Sequence, residues 1–395
     1  MDEHKSRAHA LLSASGSSRW INCTPSPRLE EKFPSSTSKY AEEGTLAHEL
    51  SELKLRLRLG EITRAKYDTL MEGNDDFPGI YENPYYSEEM EIETDKYVDY
   101  VLEQYAASQR FSNGKSTIIL EEKIDLTDFI QDGFGTSDST IADPEILEVI
   151  DLKYGKGVRV DAKENSQLKL YGLGSLIKND LLYGFKKVKL TIVQPRLDAI
   201  SSWEIPVEEL IEWGEKIVKP KAEMAHNGEG EQNPGDWCKW CRAKASCKAL
   251  KDLVFQEAAI DFKQNEDGLL SDEEVIESYG KIEMIQDWIN GLKDFVLSKA
   301  LNGKKWPGYK LVEGKSIRTI SNKEEFIEEL KTAKIKKSDF LKESLRGVGE
   351  LEKNLVDKKG KTILQKFLIK PSGAPTLVPM TDKREEWNSA RSDFS

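Results

Sequence analysis

Asp151 and Lys153 stand two apart in Glu148-Val149-Ile150-Asp151-Leu152-Lys153-Tyr154-Gly155-Lys156-Gly157, a stretch whose β-branched, apolar start reads as a strand. Strand alternation sends both side chains to one face. There a carboxylate can hold a hard divalent cation while the ammonium orients or helps deprotonate a water, which is what phosphodiester hydrolysis needs. The triplet Asp-Leu-Lys is common, so its spacing alone is a weak signal. Asp138, in Gly133-Phe134-Gly135-Thr136-Ser137-Asp138-Ser139-Thr140-Ile141, offers a second carboxylate; the blander reading is an aspartate beside a turn. His48, in Gly44-Thr45-Leu46-Ala47-His48, could add an imidazole, although a lone histidine in a helix's first turn is more often structural or solvated. Gln167 and Tyr171 are four apart and share a helix face after the strand, with ordinary packing as the alternative.

Three of the four cysteines crowd into Cys238-x-x-Cys241 and Cys247. Such clustering in a cytosolic chain points to metal rather than to disulfides. Cys23 must be the fourth ligand if a cluster exists. An iron–sulfur cluster, a structural Zn2+ held by four thiolates, and reduced cysteines without metal are all compatible with the spacing. Trp237 and Trp240 flank the cysteines; packing around the metal is expected, and stacking on unpaired bases is the alternative. Arg196, in Gln194-Pro195-Arg196, is expected to be an exposed edge arginine, with a phosphate contact as the other reading.

These residues need elements to hold them. Thr45 is expected to cap a helix in which Leu46, Leu50, Leu53 and Leu57 recur at helical spacing, which puts His48 in its first turn. A second helix is expected over 94–107. Strands are expected at 117–120, 146–153 and 188–193, and the turn Ala142-Asp143-Pro144-Glu145 makes the Asp138 and Asp151 strands hairpin neighbours. A helix over 166–177 leads to the third strand. The fold expected is α/β, a central mixed sheet flanked by helices, with a mainly helical C-terminal region. Ser271-Asp272-Glu273-Glu274 is a capping box for a helix ending near Asn302-Gly303, and Ser321-Asn322-Lys323-Glu324 opens another. Residues 362–369 read as extended. The expected division is a catalytic domain over 1–260, a mainly helical accessory domain over 261–370, and a flexible tail over 371–395.

The 395 residues, 38% hydrophobic, suffice for a sizeable core. No apolar run is long enough to cross a bilayer, and the polar N-terminus lacks a signal-type segment, so no membrane association and a cytoplasmic location are expected. The net charge of -12 is the wrong sign for coating nucleic acid. A local groove of Lys and Arg beside an acidic metal site is still compatible with it.

The order Gly-Thr-x-x-His, Gly-x-x-Asp, Asp-x-Lys, Gln-x-x-x-Tyr, ending at His48, Asp138, Lys153 and Tyr171, resembles the motif series of the RecB-like branch of the PD-(D/E)XK nuclease superfamily. That branch includes lambda exonuclease relatives and CRISPR-associated iron–sulfur exonucleases. The resemblance implies Mg2+ or Mn2+ held by His48, Asp138, Asp151 and the Leu152 carbonyl. It implies that Lys153 positions the water, and that Gln167 and Tyr171 orient the water or the DNA backbone. An additional acidic position falls on Glu121 or Glu122, undecided between them. The downstream Cys-x-x-Cys-x5-Cys implies a 4Fe-4S cluster on Cys23, Cys238, Cys241 and Cys247, with structural Zn2+ as the alternative. The function expected is a metal-dependent DNA exonuclease of recombination or DNA-end processing in a phage or mobile element. The alternative is a DNA-binding accessory protein that grips without cutting and recruits a partner such as a single-strand annealing protein.

Overall fold

Six of the seven residues of the strand Ile146–Leu152 are buried, a pattern that requires cover on both faces. The cover is found in a computed structural model that describes residues 11–387, apart from 35–37, 75, 180–183, 259–270, 315–317, 342–344, 356–357, 370–373 and 383. The chain divides into two compact units, Met1–Trp288 and Ile289–Ser395.

In the first unit a mixed five-stranded sheet carries β1 (Thr117–Asp125), β2 (Phe134–Ala142), β3 (Ile146–Leu152), β4 (Lys187–Gln194) and β5 (Ala199–Pro206), side by side in chain order. Only β3 and β4 are parallel. The Asp138 and Asp151 strands are antiparallel neighbours, as the turn between them requires: Asp143 Oδ1 accepts from the N–H groups of Glu145 and Ile146, each at 2.8 Å.

Helices α1 (Lys39–Arg58) and α2 (Glu88–Phe111) lie on one side of the sheet, and α3 (Ser166–Asn179) crosses the other between β3 and β4. Leu46 and Leu50 of α1, with Tyr97 and Val101 of α2, pack on Leu120, Ile141, Ile150 and Leu152. Leu168, Leu170 and Leu173 of α3 pack with Leu12 and Trp20 on Leu147, Val149, Val188 and Leu190. The close approach of α3 depends on Gly174, where an added Cβ would lie 2.0 Å from Ile124 Cγ2.

Helix α1 starts earlier than the sequence suggested. Ser38 caps it by accepting from Ala41 N at 3.2 Å, while the Thr45 hydroxyl donates back to Ala41 O at 3.0 Å. His48 therefore sits mid-helix rather than in the first turn. Helix α2 also begins earlier, behind a Ser87 cap and the acidic first-turn residues Glu88, Glu89 and Glu91. The N-terminal lead forms short helices at Ser17–Asn22 and Ser26–Glu30.

Helix α4 (Asp272–Leu301) opens with the expected capping box: Glu274 N donates to Ser271 Oγ at 3.3 Å, and Ser271 N donates to Glu274 Oε2 at 2.7 Å. In the second unit β7 (Thr319–Ile320), α5 (Lys323–Thr332), α6 (Lys358–Phe367) and β8 (Leu368–Ile369) contribute to a core with Phe326, Leu330, Phe340, Leu351 and Phe367, and β6 (Tyr309–Glu313) pairs with β9 (Pro375–Pro379). Two expectations change here. Residues 362–367 are helical because Ile363, Leu364 and Phe367 make one stripe against that core. The segment after Pro371, expected to be poorly packed, supplies β9, which pairs along all of β6. Among the described residues no helix is long and apolar enough to cross a membrane.

Candidate active site

Four elements converge at the C-terminal end of β3. Asp151 is 2% exposed. Lys153, two residues on, lies with its Nζ 2.8 Å from Asp151 Oδ2 and donates to Gln167 Oε1 of α3 at 3.0 Å. Gln167 Nε2 in turn donates to Tyr171 Oη at 3.0 Å. From β2, Asp138 Oδ2 accepts the Leu152 N–H at 2.7 Å, and its Oδ1 lies 3.0 Å from His48 Nδ1 of α1. The ladder carries Ser139 opposite Ile150, so one further step brings Asp138 across from Asp151. The expected side chains thus meet, and Leu152 takes part through its N–H, which donates to Asp138.

The electrostatics follow from burial against pairing. Burial opposes the charge on His48, but the Asp138 charge and hydrogen bond overcome it and lift the imidazole from its ordinary 6.5 to about 9. Asp138 is also opposed by burial, yet His48 and the Leu152 N–H hold its carboxyl below the usual range. Asp151 goes the other way. Burial raises its carboxyl, and the Asp138 charge adds to the rise against the pull of Lys153. Tyr171 is pushed up by burial, then by Asp151, and its neutral hydroxyl accepts from Gln167.

Asp151 Oδ2 is buried with the Lys153 ammonium 2.8 Å away. A buried carboxylate beside a second carboxylate and an imidazole is a donor set that suits a hard divalent cation such as Mg2+ or Mn2+. Among the described residues no three His, Cys, Asp or Glu side chains are drawn together as a closed metal shell.

A second polar centre lies at the other constellation. Cys23, Cys238, Cys241 and Cys247 are all free thiols and line one pocket with Arg19, Trp237 and Leu250. Chain segments distant in sequence are tied together here. Buried Glu30 pairs with Arg19 at 2.9 Å and accepts the Arg242 N–H at 2.8 Å, and Thr24 Oγ1 donates to Glu229 O at 2.6 Å. Burial pushes the Cys23 and Cys238 thiols up, and burial with the Glu30 charge pushes Cys241 up to about 12. Raised thiols of this kind are poor nucleophiles, and four cysteine side chains around one pocket suit a soft metal or an iron–sulfur cluster.

Residues 9–385 match the family described as "Protein of unknown function (DUF2800)". The chain belongs to that family. A structure titled "Crystal structure of SSO0001" is 16% identical to this DUF2800 chain, covering 57% of it and 94% of the other, with a TM-score of 0.21.

Three assignments in this DUF2800 member needed coordinates. Glu122 is 1% exposed and turns toward α3, where Ser175 Oγ and Asn179 Nδ2 donate to it at 2.7 and 3.1 Å. Glu121 falls in the gap between the pairs Leu120↔Ser139 and Glu122↔Ser137, opposite Asp138, and has φ +48°. A non-glycine residue at positive φ costs energy, and the Glu121 charge acts on Tyr97 and Tyr171 beside Asp138 and Asp151. The tryptophans separate as well: Trp237 lines the thiol pocket and donates to Asn233 O at 2.8 Å, while Trp240 is 72% exposed. Arg196, expected at an exposed edge, has a side chain only 10% exposed, 3.0 Å from Glu43 and stacked 4.5 Å over the Tyr154 ring.

Proposed function

We propose that the chain is a metal-dependent DNA nuclease of the RecB-like PD-(D/E)XK kind, working in the cytoplasm on DNA ends in a phage or mobile-element setting. The observation that carries this reading is the position of Lys153, whose ammonium is shared between a buried carboxylate oxygen of Asp151 and the amide of Gln167. A bound Mg2+ or Mn2+ would supply Lewis acidity toward the phosphate and lower the pKa of a water.

The chain's own residues do the rest. Asp151, Asp138 and His48 would hold the ion, with the Leu152 carbonyl as a further ligand. Lys153 would orient the attacking water through its ammonium, which Gln167 keeps aimed. Gln167 Nε2 is held in turn on Tyr171 Oη, so the water-orienting group stands on a rigid chain of contacts. The four thiolates would hold a 4Fe-4S cluster whose role is structural, joining the start of the unit to its end.

The test is degradation of linear DNA by purified full-length protein with Mg2+ or Mn2+. Asp151→Ala and Lys153→Ala should each abolish it while leaving the protein folded. Cleavage that persists in both variants would show that these residues do not cut.

A further inference from the structure

Gly155 to Arg159 are five consecutive exposed residues immediately beyond Lys153, yet the segment is fixed at both ends. Before it, Lys153 N donates to Val193 O at 2.9 Å, and Tyr154 is only 3% exposed beneath Arg196. Beyond its apex, Gln194 Nε2 donates to Val158 O at 3.0 Å, and Gln194 Oε1 accepts the Val160 N–H at 2.7 Å. The Ala162 N–H then reaches Ser201 Oγ at 3.0 Å. Gln194 is 2% exposed, so a buried amide spends its hydrogen bonds on the shape of an exposed loop. Nothing in the packing of the unit uses that loop: Val158 is 56% exposed, and a Cβ on Gly155 or Gly157 would meet nothing within 4 Å.

The loop's charges are equally available. The side chains of Lys156 and Arg159 are 51% and 66% exposed, and their carboxylate partners, Glu89 at 2.5 Å and Asp161 at 3.6 Å, are exposed too. Ion pairs in that setting contribute little and are easily exchanged for another anion. The net charge of -12 repels a polyanion, so cations that hold one must be local to the site.

We propose that Gly155–Arg159 is a nucleic-acid grip in which Lys156 and Arg159 bind backbone phosphates of the strand being cut. The open glycines let that backbone approach, and Val158 lies against its sugars. The inference rests on DNA being the substrate, as proposed above, and names the residues that position it.

The experiment is binding of a fluorescent oligonucleotide by the full-length protein without divalent metal, across a salt series. The variant combining Lys156→Ala and Arg159→Ala should weaken binding at least about tenfold at low salt. It should also reduce the log–log salt slope by about 2, one counterion-releasing contact for each cation. Restoring charge with Lys156→Arg and Arg159→Lys should restore the slope. Lys187→Ala, at the start of β4 and so at the far end of that strand from Val193, should leave both quantities alone.

A double variant that keeps the wild-type slope overturns the grip, and so does wild-type protein that binds no DNA. Equal affinity for polyglutamate would assign the loop to a protein partner and overturn it too. Wild-type protein that binds through these residues but never cleaves with Mg2+ or Mn2+ would sink the nuclease reading and leave Lys156 and Arg159 as phosphate contacts to bound, uncut DNA.

Discussion

His48 Nδ1 lies 3.0 Å from Asp138 Oδ1, a contact that ties the middle of α1 to an inner strand of the sheet. The imidazole is lifted from 6.5 to about 9 in the folded protein. In metal-free protein, the stability this raised pKa contributes is fully present below about 6.5 and is lost as the pH rises through about 9. Melting temperatures of wild type and His48→Gln should therefore converge over that interval. Curves that stay parallel throughout would remove the pair as the source.

Glu121 and Glu122 should separate cleanly by mutation. Glu122→Ala leaves the buried Ser175 hydroxyl and Asn179 amide without their acceptor, a loss of about 2–4 kcal/mol. Glu121→Gln should instead weaken metal binding and cleavage with little change in denaturant midpoint. If Glu121→Gln unfolds the protein as readily as Glu122→Ala, the division of roles is wrong.

Gly174→Ala should destabilise despite alanine's better helix propensity. The added methyl would lie 2.0 Å from Ile124 Cγ2, and overpacking of that kind costs about 1–3 kcal/mol. Ile124→Ala removes that methyl, so the double variant should lose less than the sum of the two single changes. Urea titration of the three variants measures it.

An anaerobic preparation should be brown, with broad visible absorption and bound iron. Serine at Cys23 should remove the colour as completely as serine at Cys241, since both line one pocket. Colourless protein with stoichiometric zinc would replace the cluster and leave the nuclease reading untouched.

Much of this was legible because local chemistry and tertiary need agreed. Asp143 makes the turn its sequence suggests, Ser271 and Glu274 close their capping box, and Asn322 caps α5 by accepting from Glu325 N at 3.1 Å. The order of motifs likewise foretold which side chains would meet around Asp138 and Asp151. What stayed hidden depended on geometry one residue wide. Adjacent glutamates differ in placement because strand alternation and one residue at positive φ send them apart, which no composition reveals. Strand β5 is an edge strand with a single buried residue, Ile205, and leaves almost no apolar pattern to read. Residues 362–369 carry β-branched and apolar types that suit either period; the core around Phe326 and Leu330 decides for a helix.

The thiol pocket is walled by residues from 19–29 and again from 232–250. A chain emerging from the ribosome has the elements that carry His48 to Lys153 long before it has the second wall. Any product that stops short of Cys238 lacks three of the four thiols. If those thiols hold the unit shut and the proposed site cuts DNA, the order of synthesis is itself a safeguard: a half-made chain has the residues of that site and not the clasp that steadies them.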